Sequence, residues 1–82
     1  MTILTVESAL PGVIFLSPSP EVPVFKRPGD AVSAGETIAL IEVMKSFLPV
    51  EAERPGTFLG YEVENEAGVE PGEAICRIEV TP

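Results

Sequence analysis

"VSAGETIALIEV" (residues 32–43) and "VEPGEAICRIEV" (residues 69–80) are two versions of one segment, 37 residues apart and identical at seven of twelve positions. Such agreement in a chain of 82 residues points to an internal duplication. A second match lies upstream. "LPGVIFL" (residues 10–16) resembles "RPGTFLG" (residues 54–60), with Pro11 over Pro55 and Gly12 over Gly56, but here the offset is 44. The first half must therefore hold seven residues that the second lacks. They fall in or near "SPSPEVPVFK" (residues 17–26), a proline-rich stretch. Two copies are too few for a solenoid, so two similar halves facing each other are expected.

Each half reads as strands and turns. Nine prolines and seven glycines leave no uninterrupted amphipathic helix. The Pro-Gly pairs 11–12, 28–29, 55–56 and 71–72 predict turns. In each, Pro fixes the first central φ and Gly accepts a positive φ at the second. Strands are expected near 3–7, 12–17, 37–43, 46–52, 56–62 and 73–80, with shorter pieces at 31–33 and 68–70. Ala39, Ile41 and Val43 alternate on one face, as do Ala74, Cys76, Ile78 and Val80, and these should face the core. The fold class is all-β, a flattened barrel or sandwich of two quasi-symmetric four-stranded halves. Residues 1–82 make a single domain, with 17–26 as its insertion.

Composition removes several function classes. Formal net charge is -8, and an acidic surface repels nucleic-acid phosphates. There is no histidine and one cysteine, so no metal site and no His-based catalytic site is expected. Cys76 lies in a predicted strand and reads as a buried structural thiol that fits a reducing compartment. The apolar runs are too short to span a membrane, and no positive stretch precedes those of the N-terminus. A cytoplasmic location is expected. A small free-standing protein and a domain trimmed from a longer one are both open readings, and Met1 followed at once by a strand leans to the former.

Between two predicted strands, "IEVMKSF" (residues 41–47) contains no Gly, Pro, Asn or Asp to mark a turn. Even so, the first repeat block ends at Val43 and the next strand begins with "SFLPVEA". Val43, Met44, Lys45 and Ser46 must form the tip of a hairpin, with Lys45 as its projecting polar residue. By itself this describes a solvated turn lysine.

"EVMKSFLPVEAERPGTF" (residues 42–58) resembles the attachment segment of the biotin carboxyl carrier family, which carries Glu-Ala-Met-Lys-Met at a hairpin tip. Glu42, Met44 and Lys45 match its Glu, Met and biotinylated Lys, and "VEAERPGT" matches the downstream strand and turn. Upstream, the Pro-Ser-Pro segment resembles the start of the protruding thumb in the acetyl-CoA carboxylase carriers, where the seven-residue insertion falls. The resemblance runs from about Glu7 to Val80. It departs from the family pattern at Val43, where Ala is commoner, and at Ser46, where Met is usual.

The resemblance implies a carrier with no catalytic residue of its own, bearing covalent biotin on Lys45 and shuttling a carboxyl group as carboxybiotin. It implies a biotin protein ligase that reads Glu42, Val43, Met44 and Ser46. It also implies a biotin carboxylase and a carboxyltransferase as partners, with an acyl-CoA as acceptor. Pro18, Pro20, Val24 and Phe25 are the candidate thumb contacts to biotin. The same segment could instead only cap a barrel edge. Lipoyl carriers share the duplicated fold, but place Asp before the lysine where this chain has Met44. A lipoyl carrier and an unmodified interaction module are the other two readings. Glu42, Glu51 and Glu53, close to the lysine in sequence, suggest either an acidic tip that meets basic partners or, with the rest of the 13 acidic residues, simply a soluble surface.

Overall fold

The computed structural model describes residues 2–80. Eight strands follow in chain order: β1 (Thr2–Glu7), β2 (Gly12–Phe15), β3 (Ala31–Val32), β4 (Thr37–Val43), β5 (Ser46–Glu51), β6 (Gly56–Tyr61), β7 (Gly68–Val69) and β8 (Ala74–Val80). All eight predicted strands are present. They form two four-stranded antiparallel sheets, ordered β1-β8-β6-β3 and β5-β4-β2-β7. Adding four to each label of the first order, with β8 returning to β4, gives the second. The two halves of the sequence are thus related by a pseudo-twofold, but they interleave. Each sheet takes two strands from each half, and neither half has a sheet of its own.

The duplication extends to single hydrogen bonds. In the turn before β4, the Glu36 N–H donates to the Ser33 carbonyl at 3.1 Å, and the Ser33 N–H donates to Glu36 Oε1 at 2.9 Å. Before β8, the Glu73 N–H donates to the Glu70 carbonyl at 3.0 Å, and the Glu70 N–H donates to Glu73 Oε1 at 3.1 Å. Gly35 and Gly72 occupy the left-handed position of these turns, with φ of 83° and 88°. Their N–H groups donate to the carbonyls of Ala52 and Ser8, which are themselves equivalent.

The other Pro-Gly pairs divide. Gly29 has φ of 96°, as a turn requires. Gly12 and Gly56 do not belong to the positive-φ set, and they open strands β2 and β6. The reason for glycine there is contact, not conformation. A Cβ on Gly12 would collide with the carbonyl oxygen of Glu42, and one on Gly56 with that of Glu79.

The core lies between the sheets. Phe58, Ile14, Ile38, Ile75, Ile78, Cys76 and Ala39 are fully buried, with Val32, Ile41, Val69 and Val80 nearly so. The alternation predicted for β4 holds at Ala39 and Ile41, while Val43 is half-buried against the core. It misses Ile38 and Ile75. The pairing register shifts between Thr37 and Ala39 on β4 and between Val6 and Glu7 opposite β8. An irregularity of that kind breaks the period of two, so consecutive residues are covered. Tyr61 ties the sheets together, its phenol donating to the Ile38 carbonyl at 2.7 Å and its ring packing edge-on to Phe58 at 4.7 Å. Cys76 is buried as expected, and burial pushes its thiol pKa up to about 12.

The seven-residue difference falls between β2 and β3. Residues 17–24 leave and rejoin the body at a neck, where the Phe25 N–H donates to the Leu16 carbonyl at 2.9 Å. The loop contains a further turn in which the Val22 N–H donates to the Ser19 carbonyl at 3.1 Å.

Candidate functional site

Strands β4 and β5 pair from Thr37↔Glu51 down to Val43↔Ser46, leaving Met44 and Lys45 as a two-residue connection. Both residues have positive φ, 51° and 67°. That is the signature of a type I′ hairpin turn, whose twist suits the flanking strands but which normally recruits Asn-Gly. For side chains larger than Gly, the left-handed region costs roughly 1–2 kcal/mol per residue. The cross-strand pairing imposes this backbone on a dipeptide that does not favour it. Such local strain is a reason to look for function at the tip.

The tip presents its side chains to solvent. Met44 is 93% exposed, which is costly for a thioether side chain with no packing role. Lys45 and Ser46 are also exposed, whereas Glu42 and Val43 are half-buried. The Lys45 amine has no hydrogen-bond or ion-pair partner among the described residues. The chain's other lysine contrasts with it. Lys26 Nζ lies 2.5 Å from Glu36 Oε2 and donates to the Ala31 carbonyl at 2.8 Å, with its side chain only 13% exposed. That ion pair, with help from the Ser33 N–H, holds the Glu36 carboxyl below its ordinary value of 4.5. One amine is clipped to the body and the other is free at an apex.

Behind the tip, Phe47 on β5 is 55% exposed and meets Phe15 on β2 with ring centroids 5.5 Å apart. These rings and Leu40 form the apolar wall of a hollow of about 170 Å³, whose other lining includes Pro18, Pro20, Asn65 and Glu66. Asn65 Oδ1 accepts from the Leu16 N–H at 2.8 Å and so anchors the base of the proline-rich loop to the β6–β7 connection. Pro18 and Pro20 therefore lie beside the strand that leaves the tip. Val24 and Phe25 are not part of that lining; Val24 is exposed and Phe25 half-buried. Phe15, Phe47 and Asn65 went unnoticed in the sequence. The alternation of "SFLPV" could have marked Phe47 as outward-facing, but the reach of Asn65 across 49 residues has no local signal.

The acidic tip expected from the sequence is not formed. Glu51 pairs with Thr37 at the far end of β5, about 17 Å along the strand from Ser46. Glu51 and Glu53 instead line a cleft between β1 and β5. Of the three glutamates, only Glu42 stays close to Lys45.

A family model described as "Biotin-requiring enzyme" matches residues 5–78. Over 73 residues the chain is 41% identical to the biotin carboxyl carrier protein of acetyl-CoA carboxylase of Streptococcus pyogenes, covering 89% of this chain and 44% of that protein. The protein of the same name from Chlamydia trachomatis is 37% identical over 71 residues, 87% of this chain and 43% of that one. For Porphyra purpurea the identity is 33% over 75 residues, 92% of this chain and 48% of the relative. The chain thus spans less than half the length of these curated relatives. Among solved structures, the urea carboxylase of Kluyveromyces lactis contains a similar fold, with a TM-score of 0.79 and 26% identity over 96% of this chain and 6% of that one.

Proposed function

The chain belongs to the biotin-requiring enzyme family, the biotin/lipoyl attachment domains, and on that premise we propose that Lys45 carries biotin as the mobile arm of a biotin-dependent carboxylase. The observation that carries this reading is the contrast between the two lysines. Lys45 stands on a strained apex with no partner among the described residues, while Lys26 is held by Glu36 and Ala31.

The residues fit the group. A ligase needs an amine it can enclose, and the Lys45 side chain meets no wall of its own protein. Met44 supplies an uncharged, polarisable neighbour where a lipoyl carrier has a carboxylate, and this difference lets a ligase discriminate. Glu42 and Val43 present the approach from β4, and Ser46 the departure on β5. Bound biotin would supply a ureido nitrogen that accepts a carboxyl group and gives it up again. The protein's task is to hold the arm's base still. A two-residue turn between paired strands loses little entropy at each docking event, whereas a floppy loop would spread the arm over many poses.

The partners of this reading are a biotin protein ligase, a biotin carboxylase and a carboxyltransferase, in the cytoplasm. The acceptor class is an acyl-CoA, by analogy with the named relatives of acetyl-CoA carboxylase. Residues 1–82 act as one carrier domain, and 17–26 act as a thumb. The nearness of Pro18 and Pro20 to Phe47 supports a lid over the arm's resting position, with Val24 and Phe25 as the further apolar contacts of a moving thumb. Intact mass after co-expression with a biotin ligase tests the assignment. Wild type and Lys26→Arg should each gain one biotinyl increment, and Lys45→Arg should gain none. A lipoyl increment, or biotin retained by Lys45→Arg, would overturn it.

A further inference from the structure

Away from the tip, a cleft of about 550 Å³ runs along the open flank of the sandwich between β1 and β5. These are pseudo-twofold mates and edge strands of opposite sheets; among the described residues β1 pairs only with β8, and β5 only with β4. Leu4 and Val6 from one side and Leu48 and Val50 from the other give the cleft apolar walls. Among the described residues, every charged one lining it is acidic: Glu7, Glu51 and Glu53.

The two edges differ in one backbone group. Across a two-residue hairpin the flanking residues exchange hydrogen bonds, so Val43 and Ser46 are a bonded pair, as are Ile41 and Leu48. The intervening Phe47 and Pro49 aim their backbone outward. Pro49 thus sits where its missing N–H costs no ladder bond and blunts the free edge. The β1–β8 ladder repeats this register, with Thr2 on Val80 and Leu4 on Ile78. Ile3 and Thr5 therefore aim their N–H and C=O groups outward, and Thr5 stands in the place of Pro49. Strand β1 is an unblunted edge beside an apolar cleft.

We propose that this edge takes an extended segment of a partner protein, added as a strand to β1, with alternate apolar side chains in the cleft and Lys or Arg against Glu7, Glu51 and Glu53. Charge selects this occupant. A second copy of the chain would bring the same carboxylates face to face, on molecules each carrying a net charge of -8. The surface is separate from Lys45, so a segment held there leaves the arm free to move.

The probe is a capped peptide of about nine residues alternating Lys and Val, compared with its Glu-for-Lys counterpart and with a version N-methylated at alternate amides. Titration into the isotope-labelled chain should shift the Ile3 and Thr5 amides and protect them from exchange. Added salt should weaken binding, and neither control peptide should bind. Thr5→Pro imposes on β1 the residue that its mate already tolerates and should weaken binding about tenfold. Glu7→Lys with Glu51→Lys should weaken it with the fold unchanged. Equal binding of the N-methylated peptide, or of the Glu peptide, overturns the proposal. So do shifts confined to other strands, and so does sedimentation showing that the peptide-free chain already dimerises through β1.

Discussion

Glu66 occupies, in the second half, the left-handed backbone position that Gly29 occupies in the first. Their φ angles are 65° and 96°. The Glu66 N–H donates to the Ile14 carbonyl at 2.7 Å, and the Gly29 N–H to the equivalent Phe58 carbonyl at 2.8 Å. The next residues match as well, the Ala67 N–H reaching the Glu64 carbonyl and the Asp30 N–H that of Arg27. One half fills this position with the residue suited to it, and the other holds an exposed glutamate there. Glu66→Gly should therefore raise stability by roughly 0.5–1 kcal/mol, relief of backbone strain outweighing the added chain entropy of glycine. Gly29→Ala should lower it by about 1 kcal/mol. Urea midpoints at unchanged slope test the pair, and a destabilised Glu66→Gly would show that the side chain itself is needed.

The strand-opening glycines should behave differently from the turn glycines. At Gly12 and Gly56 an added methyl meets a backbone carbonyl in the neighbouring strand. Alanine there must push β2 from β4, or β6 from β8, at a cost of about 2–3 kcal/mol. Alanine at Gly35 meets nothing within 4 Å and suffers only its φ, about 1 kcal/mol. Denaturation curves that rank Gly35→Ala as the worst of the three would contradict this account.

Acid should act partly through Glu36. Its folded pKa lies below its ordinary value of 4.5, because Lys26 and the Ser33 N–H bind the carboxylate. A depressed folded pKa contributes stability that is fully present above the unfolded value. That contribution is lost as pH falls from about 4.5 through the lowered folded pKa. Glu36→Gln should lower stability modestly near neutrality, where the carboxylate's contribution is fully present, change little in strong acid, and so flatten the acid limb of stability against pH in that window. An acid limb identical to wild type would remove Glu36 from the explanation.

Cys76 should be silent until the chain unfolds. It is fully buried, and burial pushes its thiol up to about 12, so neither access nor thiolate is available at neutral pH. A thiol reagent should label it slowly in native buffer and completely in denaturant, at a native rate that falls with every stabilising variant. Rapid native labelling would mean that β8 opens locally.

Deleting residues 18–24 removes the length that the second half lacks and joins the chain at a neck already formed by Leu16 and Phe25. Melting temperature should change by only a few degrees, and biotin incorporation at Lys45 should stay at wild-type level. Carboxyl transfer should fall if the loop covers the arm. Unchanged transfer with a lowered melting temperature would leave the loop as an edge cap only.

The repeat itself was readable from sequence because both copies obey the same short-range demands. Residues 32–43 and 69–80 need the same turn, the same left-handed glycine and the same inward branched side chains, and their residues are visibly alike. Offsets of 37 and 44 located the inserted loop, and the end of the first block located the hairpin tip without any turn residue. What the sequence could not express depends on partners far along the chain. The interleaving of the halves between two sheets is a matter of which edges meet, and strand patterns alone do not encode edges. Gly12 and Gly56 read as turn residues because local chemistry favours that, yet their role is set by carbonyls 30 and 23 residues away. Glu51 and Glu53 seemed to crowd Lys45 because they follow it closely, but an extended strand carries them off at about 3.4 Å per residue. Local conformational preference travels with sequence; side-chain neighbourhood is decided by pairing register, and only the folded sheets fix that.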